Sequence, residues 1–218
     1  MKIVALTDIH GNLRYLNDII PHLKDADLTV IAGDITNFGD RENAEMVINP
    51  IKEYSNNILA IYGNCDYPTV ENFIEELGIS IAWNWRKVGD YIYVGLGGSL
   101  TCPARTPGEY TDDRYMKFLE SVKTNLSSNS DRLILITHEP PKGTICDRAM
   151  SGAHVGSNSI RSFIEEDQPL LVITGHIHEG RGVDRIGRSV IVNPGPFRRG
   201  TYAIILIDGF EVDITLKP

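Results

Sequence analysis

Short runs of apolar, mostly β-branched residues recur along the chain, separated by polar or glycine-containing segments. Five of these runs are apolar at nearly every position and cover residues 3–7, 28–32, 58–62, 133–137 and 170–174. Uninterrupted apolar runs of this length are typical of strands that are buried on both faces, as in the parallel sheets of α/β proteins. The pattern therefore predicts five central strands with helices on either side of the sheet.

Between these runs, apolar residues recur at intervals of three and four, which is the spacing of one face of an α-helix. Helices are predicted around residues 13–23, 70–77, 116–122 and 160–164. Thr69 and Ser157 precede two of them and are the predicted N-caps. Later apolar runs flank Asp208-Gly209, a dipeptide that favours a hairpin turn. The predicted architecture is α/β, with parallel strands early and antiparallel strands late.

Composition is that of an ordinary globular protein. The 218 residues are 42% hydrophobic and 23% charged, which argues against fibrous and disordered classes. This length suits one domain, so residues 1–218 are predicted to form a single domain. The longest apolar runs are much shorter than the roughly 20 residues that a membrane-spanning helix needs. We therefore expect neither a membrane span nor a secretion signal.

The net charge and the cysteine content indicate which binding partners and which cellular compartment to expect. Asp and Glu outnumber Lys and Arg by 29 to 21, giving a formal net charge of −8. Nucleic acids and anionic lipids are polyanions, so general nucleic-acid binding and membrane binding are not expected. The three cysteines, Cys65, Cys102 and Cys146, are odd in number and have no metal-like spacing, so a disulfide framework is not expected. A cytoplasmic location is predicted, because its reducing conditions suit free thiols.

Side chains that can bind metal follow each of the five predicted strands. They are Asp8 and His10, then Asp34, then Asn64 and Asp66, then His138, and finally His176 and His178. In open α/β sheets, ligands bind at the carboxyl ends of strands, so these side chains are expected to converge. Carboxylate, imidazole and amide donors suit Mn, Fe, Zn, Co or Ni. Their number fits two ions that share a carboxylate, an arrangement common in phosphoester hydrolysis.

These motifs also carry a family resemblance. In order, they are Asp8-x-His10, Gly33-Asp34, Gly63-Asn64-x-Asp66, His138 and Gly175-His176-x-His178. Together they resemble the calcineurin-like metallophosphoesterase superfamily, and within it the small archaeal and bacterial phosphodiesterases. The resemblance implies a four-layer αββα sandwich of two mixed β-sheets, with a dinuclear metal site on one rim.

The resemblance also implies a ligand set for two divalent metal ions. The first ion would be held by Asp8, His10, Asp34 and His178, and the second by Asp34, Asn64, His138 and His176, with Asp34 as the bridge. Manganese is the first expectation, with Fe, Ni, Zn and Co as alternatives. A hydroxide between the ions would attack phosphorus. Asp34 and Asn64 are therefore candidate catalytic residues, and Asn64 is also a candidate for substrate binding.

The sequence motifs identify the residues that would bind substrate or protonate its leaving group less clearly than they identify the metal ligands. Many family members have a histidine that helps the leaving group where this chain has Cys65, and a thiol is a weak hydrogen-bond donor. His154, in a glycine-flanked loop, is the candidate replacement, catalytic and substrate-binding. Arg198 is the candidate for phosphate oxygens, which guanidinium groups bind in a bidentate manner. Arg105, Arg114 and Arg199 are alternatives in or near long loops.

The predicted function is that of a metal-dependent phosphoesterase, with small phosphodiesters as the preferred substrates. A phosphomonoesterase or a nucleotide pyrophosphatase would use the same site. A non-catalytic protein-binding scaffold of the same fold is the alternative from another class. The natural substrate is left open, because recognition residues lie on loops that vary independently of the fold. The native metal is left open, because oxygen and nitrogen donors bind several ions. Homo-oligomer formation, and whether Cys65 or His154 assists the leaving group, are also left open.

Overall fold

Strands and helices alternate through most of the chain in the computed structural model, which describes residues 1–125 and 132–218. The strands are β1 (Lys2–Leu6), β2 (Leu28–Ala32), β3 (Ile58–Ile61), β4 (Asn84–Val88), β5 (Tyr91–Leu96), β6 (Ser99–Leu100), β7 (Glu109–Tyr110), β8 (Leu133–Thr137), β9 (Leu171–Ile173), β10 (Gly182–Ile186), β11 (Ser189–Asn193), β12 (Tyr202–Asp208) and β13 (Glu211–Lys217). The helices are α1 (Leu16–Lys24), α2 (Arg41–Lys52), α3 (Pro68–Glu76), α4 (Asp112–Asn125) and α5 (Asn158–Asp167). Short 3-10 turns cover Ile145–Asp147, His178–Gly180 and Phe197–Arg199.

The strands form two large mixed sheets. The five-stranded sheet has the order β13-β12-β1-β2-β3, and the six-stranded sheet has the order β10-β11-β9-β8-β5-β4. In the first, β1, β2 and β3 are parallel and the β12–β13 hairpin is antiparallel. In the second, a parallel centre is bordered by antiparallel β4 and β10. A separate two-stranded ribbon joins β6 to β7.

Apolar side chains on both faces of the strands build four layers. The inner faces of the two sheets meet in one cluster that includes Ile3 and Val30 from one sheet and Ile136 and Ile173 from the other. Helices α1, α2 and α3 pack on the outer face of the five-stranded sheet. Helices α4 and α5 pack on the outer face of the six-stranded sheet. The αββα sandwich implied by the family resemblance is therefore confirmed.

Most predicted strands are found close to their predicted positions. The runs at 28–32 and 133–137 coincide with β2 and β8, while β1, β3 and β9 differ by one residue at one or both ends. The hairpin at Asp208-Gly209 is confirmed, since Asp208 pairs with Glu211 across a two-residue turn. Gly209 has a φ of 59°, which suits glycine at the first turn position. No helix among the described residues is long and apolar enough to cross a membrane.

Helix α2 was not among the predicted helices. Its apolar residues Ala44, Val47, Ile48 and Ile51 follow helical spacing and are buried, although Pro50 lies inside the segment, as Pro21 lies inside α1. The helix forms because proline removes only one hydrogen bond near its end, and because Asp40 caps its start. The Asp40 side chain accepts hydrogen bonds from two backbone amides of the first turn.

The two predicted N-caps have different outcomes. Ser157 is the N-cap of α5, and its side chain accepts a hydrogen bond from the backbone N–H of Ile160 at 3.0 Å. The prediction for Thr69 was wrong, because α3 begins at Pro68 and its N-cap is Tyr67. Proline is common at the first position of a helix, because its fixed φ suits the helix and the backbone N–H at that position has no partner within the helix.

This difference predicts unequal effects of two alanine substitutions. We expect Ser157→Ala to lower the free energy of unfolding by about 2 kcal/mol, because it removes an N-cap bond and a partly buried bond to the Asp112 carboxylate. Thr69→Ala, at an exposed position inside the first turn of α3, should change it by less than about 0.5 kcal/mol. Denaturant unfolding followed by circular dichroism measures both, and equal losses would contradict this account of the caps.

Candidate metal centre

The backbone is strained where the predicted ligands follow their strands. Asp8, His10, Asp34 and His176 have φ values of 52°, 48°, 49° and 65°, in the left-handed region that non-glycine residues rarely adopt. Such conformations cost on the order of 1–3 kcal/mol each and persist only where the surrounding structure enforces them. Here the loops enforce them jointly, since the backbone N–H groups of Asp8 and His10 donate to the carbonyls of Gly33 and Asp34. Strain of this kind is concentrated at functional sites.

Two glycines that precede ligands are needed for close packing. A Cβ atom on Gly33 would lie 2.4 Å from His138 Nδ1, and one on Gly63 would lie 2.1 Å from Asp34 Oδ1. Both glycines therefore let a loop of the five-stranded sheet lie directly against a ligand from another loop. A side chain at either position would clash with these residues, so both positions need glycine.

The first group of donor atoms comes from both sheets. His10 and His178 face each other with 3.4 Å between their Nε2 atoms, and His178 Nε2 lies 3.2 Å from Asp8 Oδ1. Two hydrogen bonds to the other oxygen fix the Asp8 carboxylate. Its Oδ2 accepts from the Thr7 hydroxyl at 2.8 Å and from the His176 backbone N–H at 3.2 Å. Asp8, His10 and His178 can each offer one ligand atom within 4.8 Å of the others.

The second group lies on the other side of Asp34. His138 Nε2 is 3.1 Å from Asn64 Oδ1 and 3.4 Å from Asp34 Oδ1. His138 Nδ1 donates to the carbonyl of Ala32 at 2.8 Å, which leaves Nε2 to face the site. The ring of His176 lies 5.2 Å from that of His138, measured between centroids.

Asp34 connects the two groups. Its Oδ2 lies 3.6 Å from His10 Nε2, and its Oδ1 lies 3.4 Å from His138 Nε2. The backbone N–H of Cys65 donates to Oδ1 at 2.8 Å and fixes the plane of the carboxylate. Asp34 is only 2% exposed, so its two oxygens are presented to the two groups and not to solvent.

Electrostatics make the centre a buried negative site. Burial opposes the charge of Asp34, but the charge and hydrogen bond of His138 hold the pKa of Asp34 well below its usual range. Burial alone would lower the pKa of His138, yet Asp34 and Asp8 raise it to about 10. Burial lowers the pKa of His176 to about 4. At neutral pH, the carboxylates of Asp8 and Asp34 are therefore opposed by the single positive charge of the His138 imidazolium, which leaves the group negative.

This donor set fits divalent metal ions. Buried charges need a partner of opposite sign, and here the carboxylates outnumber the positive side chains that lie against them. His10 Nδ1 is buried with no hydrogen-bond partner among the described residues. Asp8, Asp34 and His138 form a further group whose ligand atoms lie within 4.8 Å of one another. The residues present can thus hold cations without rearrangement of the fold.

Asp66, the third carboxylate of the sequence motifs, has a different position. It accepts hydrogen bonds from the backbone N–H groups of Ile35, Thr36 and Gly63 at 3.1, 2.8 and 2.9 Å. These bonds tie the loop after β2 to the loop after β3, and so fix Asp34 and Asn64 relative to each other. Asp66 acts on the site through these loops.

Cys65 is buried beside the donor atoms. Its thiol lies within 4.8 Å of ligand atoms of His10 and Asp34, and the residue is 7% exposed. Burial and the nearby carboxylate of Asp34 raise the pKa of the Cys65 thiol well above its usual range. A neutral, buried thiol is consistent with the expectation that Cys65 does not replace the histidine of other family members as a proton donor.

The substrate-side candidates lie at the rim. Arg198 donates from Nη2 to His178 Nδ1 at 3.3 Å, and its backbone N–H donates to the carbonyl of Asp8. His154 is 45% exposed and donates from Nδ1 to the buried carboxylate of Asp147 at 2.7 Å. The structure therefore brings Arg198 to the donor groups. His154 lies in the neighbouring loop, where its bond is to Asp147.

One side chain ties the His154 loop to the metal-site loops. Asn193 Nδ2 donates to the carbonyls of Cys146, Gly175 and Ile177, at 3.5, 3.4 and 2.9 Å. The 3-10 turn that carries Asp147 is thereby fixed beside the turn that carries His178.

Sequence reasoning missed the partners that orient the predicted residues. Thr7 bonds Asp8, Thr106 bonds the Asn64 amide at 3.0 Å, and Asp147 bonds His154. Thr7 stands next to a motif and could have been suspected from its position. Thr106 lies 42 residues from Asn64, in a segment whose proximity depends on how the two sheets pack.

Comparisons with known proteins agree with this geometry. The family model described as calcineurin-like phosphoesterase matches residues 1–180. An uncharacterized protein of Methanocaldococcus jannaschii is 37% identical over 220 residues, which cover 97% of each chain.

Solved structures show the same fold at low sequence identity. The protein TT1561 of Thermus thermophilus superposes with a TM-score of 0.77 and 18% identity, covering 98% of this chain and 97% of that one. A structure described as a novel archaeal phosphodiesterase has a TM-score of 0.57 and 17% identity, with full coverage (100%) of both chains. With the family match and the Asp/His cluster, the conclusion is that the chain belongs to the calcineurin-like phosphoesterase family of metal-dependent phosphoesterases.

Proposed function

We propose that the chain is a phosphodiesterase that holds two divalent metal ions with Asp34 as the shared ligand. The observation that carries this proposal is the orientation of Asp34, whose two oxygens face two different groups of donor atoms. A carboxylate has two oxygens to give and can therefore serve two ions at once.

The two groups suggest which residues would hold each ion. Asp8, His10 and His178 would hold the first with Oδ2 of Asp34, and Asn64, His138 and His176 would hold the second with Oδ1. Manganese is the proposed metal, with Fe, Ni, Zn and Co as alternatives, because oxygen and imidazole donors accept all of them.

The chemistry divides between the ions and the side chains. When bound, two such ions would neutralise phosphate charge and would supply an acidified water as the nucleophile, which is the role of the hydroxide that the family resemblance implies. The side chains fix the positions of the donors, exclude bulk water from Asp8 and Asp34, and hold the His138 ring through the Ala32 carbonyl. Asn64 contributes a neutral oxygen, which leaves the site less negative than a third carboxylate would.

Arg198 is proposed to bind a phosphate oxygen. A guanidinium only donates, so His178 accepts from it at Nδ1 and carries its own proton on Nε2. An imidazole that binds an ion through Nε2 carries its proton on Nδ1 instead, and can no longer accept from Arg198. Loading the site would therefore release Arg198 from His178 and leave its N–H groups free for the substrate.

His154 is proposed to protonate the leaving group. Its Nδ1 donates to Asp147, so Nε2 is the atom left to exchange a proton. Asp147 is fully buried and accepts further bonds from the backbone N–H groups of Gly143, Thr144 and Gly156. These bonds make it a fixed carboxylate that orients the ring of His154.

A phosphodiester suits this site better than a phosphomonoester. A diester carries one negative charge and a monoester up to two, so a monoester calls for more cationic partners beside the ions. In the part of the chain that the structure describes, Arg198 is the arginine seen to contact a proposed ligand, while Arg114 is engaged with the rings of Trp83 and Tyr110. A small diester is thus the proposed substrate class.

The first test is metal-dependent hydrolysis. Chelator-stripped protein should be inactive on bis(p-nitrophenyl) phosphate, should regain activity with Mn²⁺, and should prefer this diester to p-nitrophenyl phosphate. Preference for the monoester would favour the phosphomonoesterase alternative. Absence of activity with every divalent ion would contradict the enzyme assignment and favour the scaffold alternative.

The shared role of Asp34 predicts unequal effects of two amide substitutions. Asp34→Asn should weaken the binding of both ions. The loss of affinity should exceed the roughly 10- to 100-fold that is typical when a ligand loses its hydrogen-bond partner. Asp8→Asn makes the same change of carboxylate to amide at the other aspartate, and it should chiefly weaken the binding of one ion. Calorimetric titration of chelator-stripped protein with Mn²⁺ measures both, and mild, equal effects would argue against a shared carboxylate.

The role of His154 predicts a dependence on the leaving group. His154→Ala should slow diesters with alkoxide leaving groups by about 10²- to 10⁴-fold, and p-nitrophenyl esters far less, since nitrophenolate needs little protonation. Metal content should not change. Ser151→Ala, in the same exposed loop, is the matched control and should leave both rates unchanged. Equal slowing of both ester classes would show that His154 is not the acid.

A further inference from the structure

The amide of Asn64 can face the site in two ways. Turned one way it presents its oxygen, which can bind a cation, and turned the other way it presents an NH₂ group, which cannot. In the structure, Oδ1 lies 3.1 Å from His138 Nε2, while Nδ2 donates to Thr106 Oγ1 at 3.0 Å and to the Cys65 thiol at 3.7 Å. The contact with Thr106 therefore coincides with the orientation that a metal ligand needs.

A carboxylate fixes the direction of this hydrogen bond. Thr106 Oγ1 lies 2.9 Å from Glu109 Oε1, and an ionised carboxylate only accepts. The single hydroxyl proton of Thr106 is thus directed to Glu109, and the hydroxyl oxygen is left to accept from Asn64. The reverse orientation of the amide would set two acceptors, Asn64 Oδ1 and Thr106 Oγ1, against each other.

Glu109 is itself held as a carboxylate. Its Oε1 also accepts from the Thr106 backbone N–H at 2.6 Å and from the Cys102 thiol at 3.1 Å. Burial alone would raise the pKa of Glu109, but these hydrogen bonds lower it. Glu109 therefore remains an acceptor at neutral pH, and the order of donation from Asn64 to Thr106 to Glu109 is maintained.

The backbone places Thr106 where this contact can form. The N–H of Gly108 donates to the carbonyl of Asn64 at 2.9 Å, and a Cβ atom on Gly108 would lie 2.7 Å from the carbonyl of Gly63. The segment that carries Thr106 is thus seated directly on the loop after β3. The β6–β7 ribbon, which pairs Ser99 with Glu109, fixes the far end of this segment.

We propose that Thr106, oriented by Glu109, is a positioning residue that keeps the oxygen of Asn64 turned toward the second metal ion. The inference rests on the proposed function, because it assumes that Asn64 is a ligand. The competing explanation is that Thr106 and Glu109 only hold their own loop together. If that explanation holds, loss of any hydrogen-bond donor to Glu109 should have the same effect on metal binding. The proposal instead expects an effect only from the donor that contacts Asn64, which is the Thr106 hydroxyl.

Three variants of the full chain separate the two explanations. Thr106→Val keeps the shape and removes the hydroxyl, Thr106→Ser keeps the hydroxyl, and Cys102→Ala removes another donor to Glu109 that has no contact with Asn64. Thr106→Val should lower the affinity for one of the two Mn²⁺ ions by about 10- to 100-fold and leave the affinity for the other unchanged. Thr106→Ser and Cys102→Ala should both bind like the unaltered chain. Calorimetric titration of chelator-stripped protein gives both affinities without relying on activity.

Thermal unfolding of each metal-free variant shows whether the loop itself has been disturbed. Should Thr106→Val lower the midpoint, Thr106→Ala supplies the same loss of hydroxyl without the branched side chain, and it should weaken the same single ion.

The outcomes distinguish this inference from the proposed function. If the unaltered chain binds fewer than two ions, the proposed function fails whatever Thr106 does. If it binds two, and Thr106→Val also binds both with unchanged affinity, the positioning role is overturned while the proposed function stands. A loss in Cys102→Ala as large as that in Thr106→Val would also overturn it, because the effect would then come from the loop as a whole.

Discussion

The centre depends on one constraint: a buried carboxylate, Asp34, must present its two oxygens to two different sets of donors. Removing a carboxylate from water is costly unless positive or hydrogen-bonding groups compensate for it. Here His138 supplies charge on one side, and the Cys65 backbone N–H fixes the orientation. The left-handed backbone at Asp34, with φ of 49°, is the local strain that this placement requires.

The sandwich makes this placement possible because each sheet supplies part of the centre. Loops of the five-stranded sheet bring Asp8, His10, Asp34 and Asn64, whereas loops of the six-stranded sheet bring His138, His176 and His178. Neither sheet alone holds a complete set. The apolar cluster between the sheets therefore does more than stabilise the fold, since it also sets the distance between the two halves of the candidate metal centre.

Sequence patterns predicted those features that depend on residues close together in the chain. The runs that became β2 and β8, the hairpin at Asp208-Gly209 and the order of the ligand motifs all have local signals. Features that depend on tertiary packing were not predicted. Thr106 reaches Asn64 across 42 residues, and the packing of the apolar face of α2 on the sheet adds to the Asp40 cap in stabilising a helix that contains Pro50. The resemblance to a family supplied the proposed ligand set, while the structure showed which groups orient those residues.

The family assignment makes the chain a metal-dependent phosphoesterase, and the central claim beyond it is that Asp34 joins two ions. Electron paramagnetic resonance of the chelator-stripped chain, titrated with Mn²⁺, tests this claim most directly. The account predicts that the spectrum of an isolated ion gives way, as the second equivalent binds, to that of an exchange-coupled pair. A spectrum of isolated ions at two bound equivalents, or saturation at one, would contradict it.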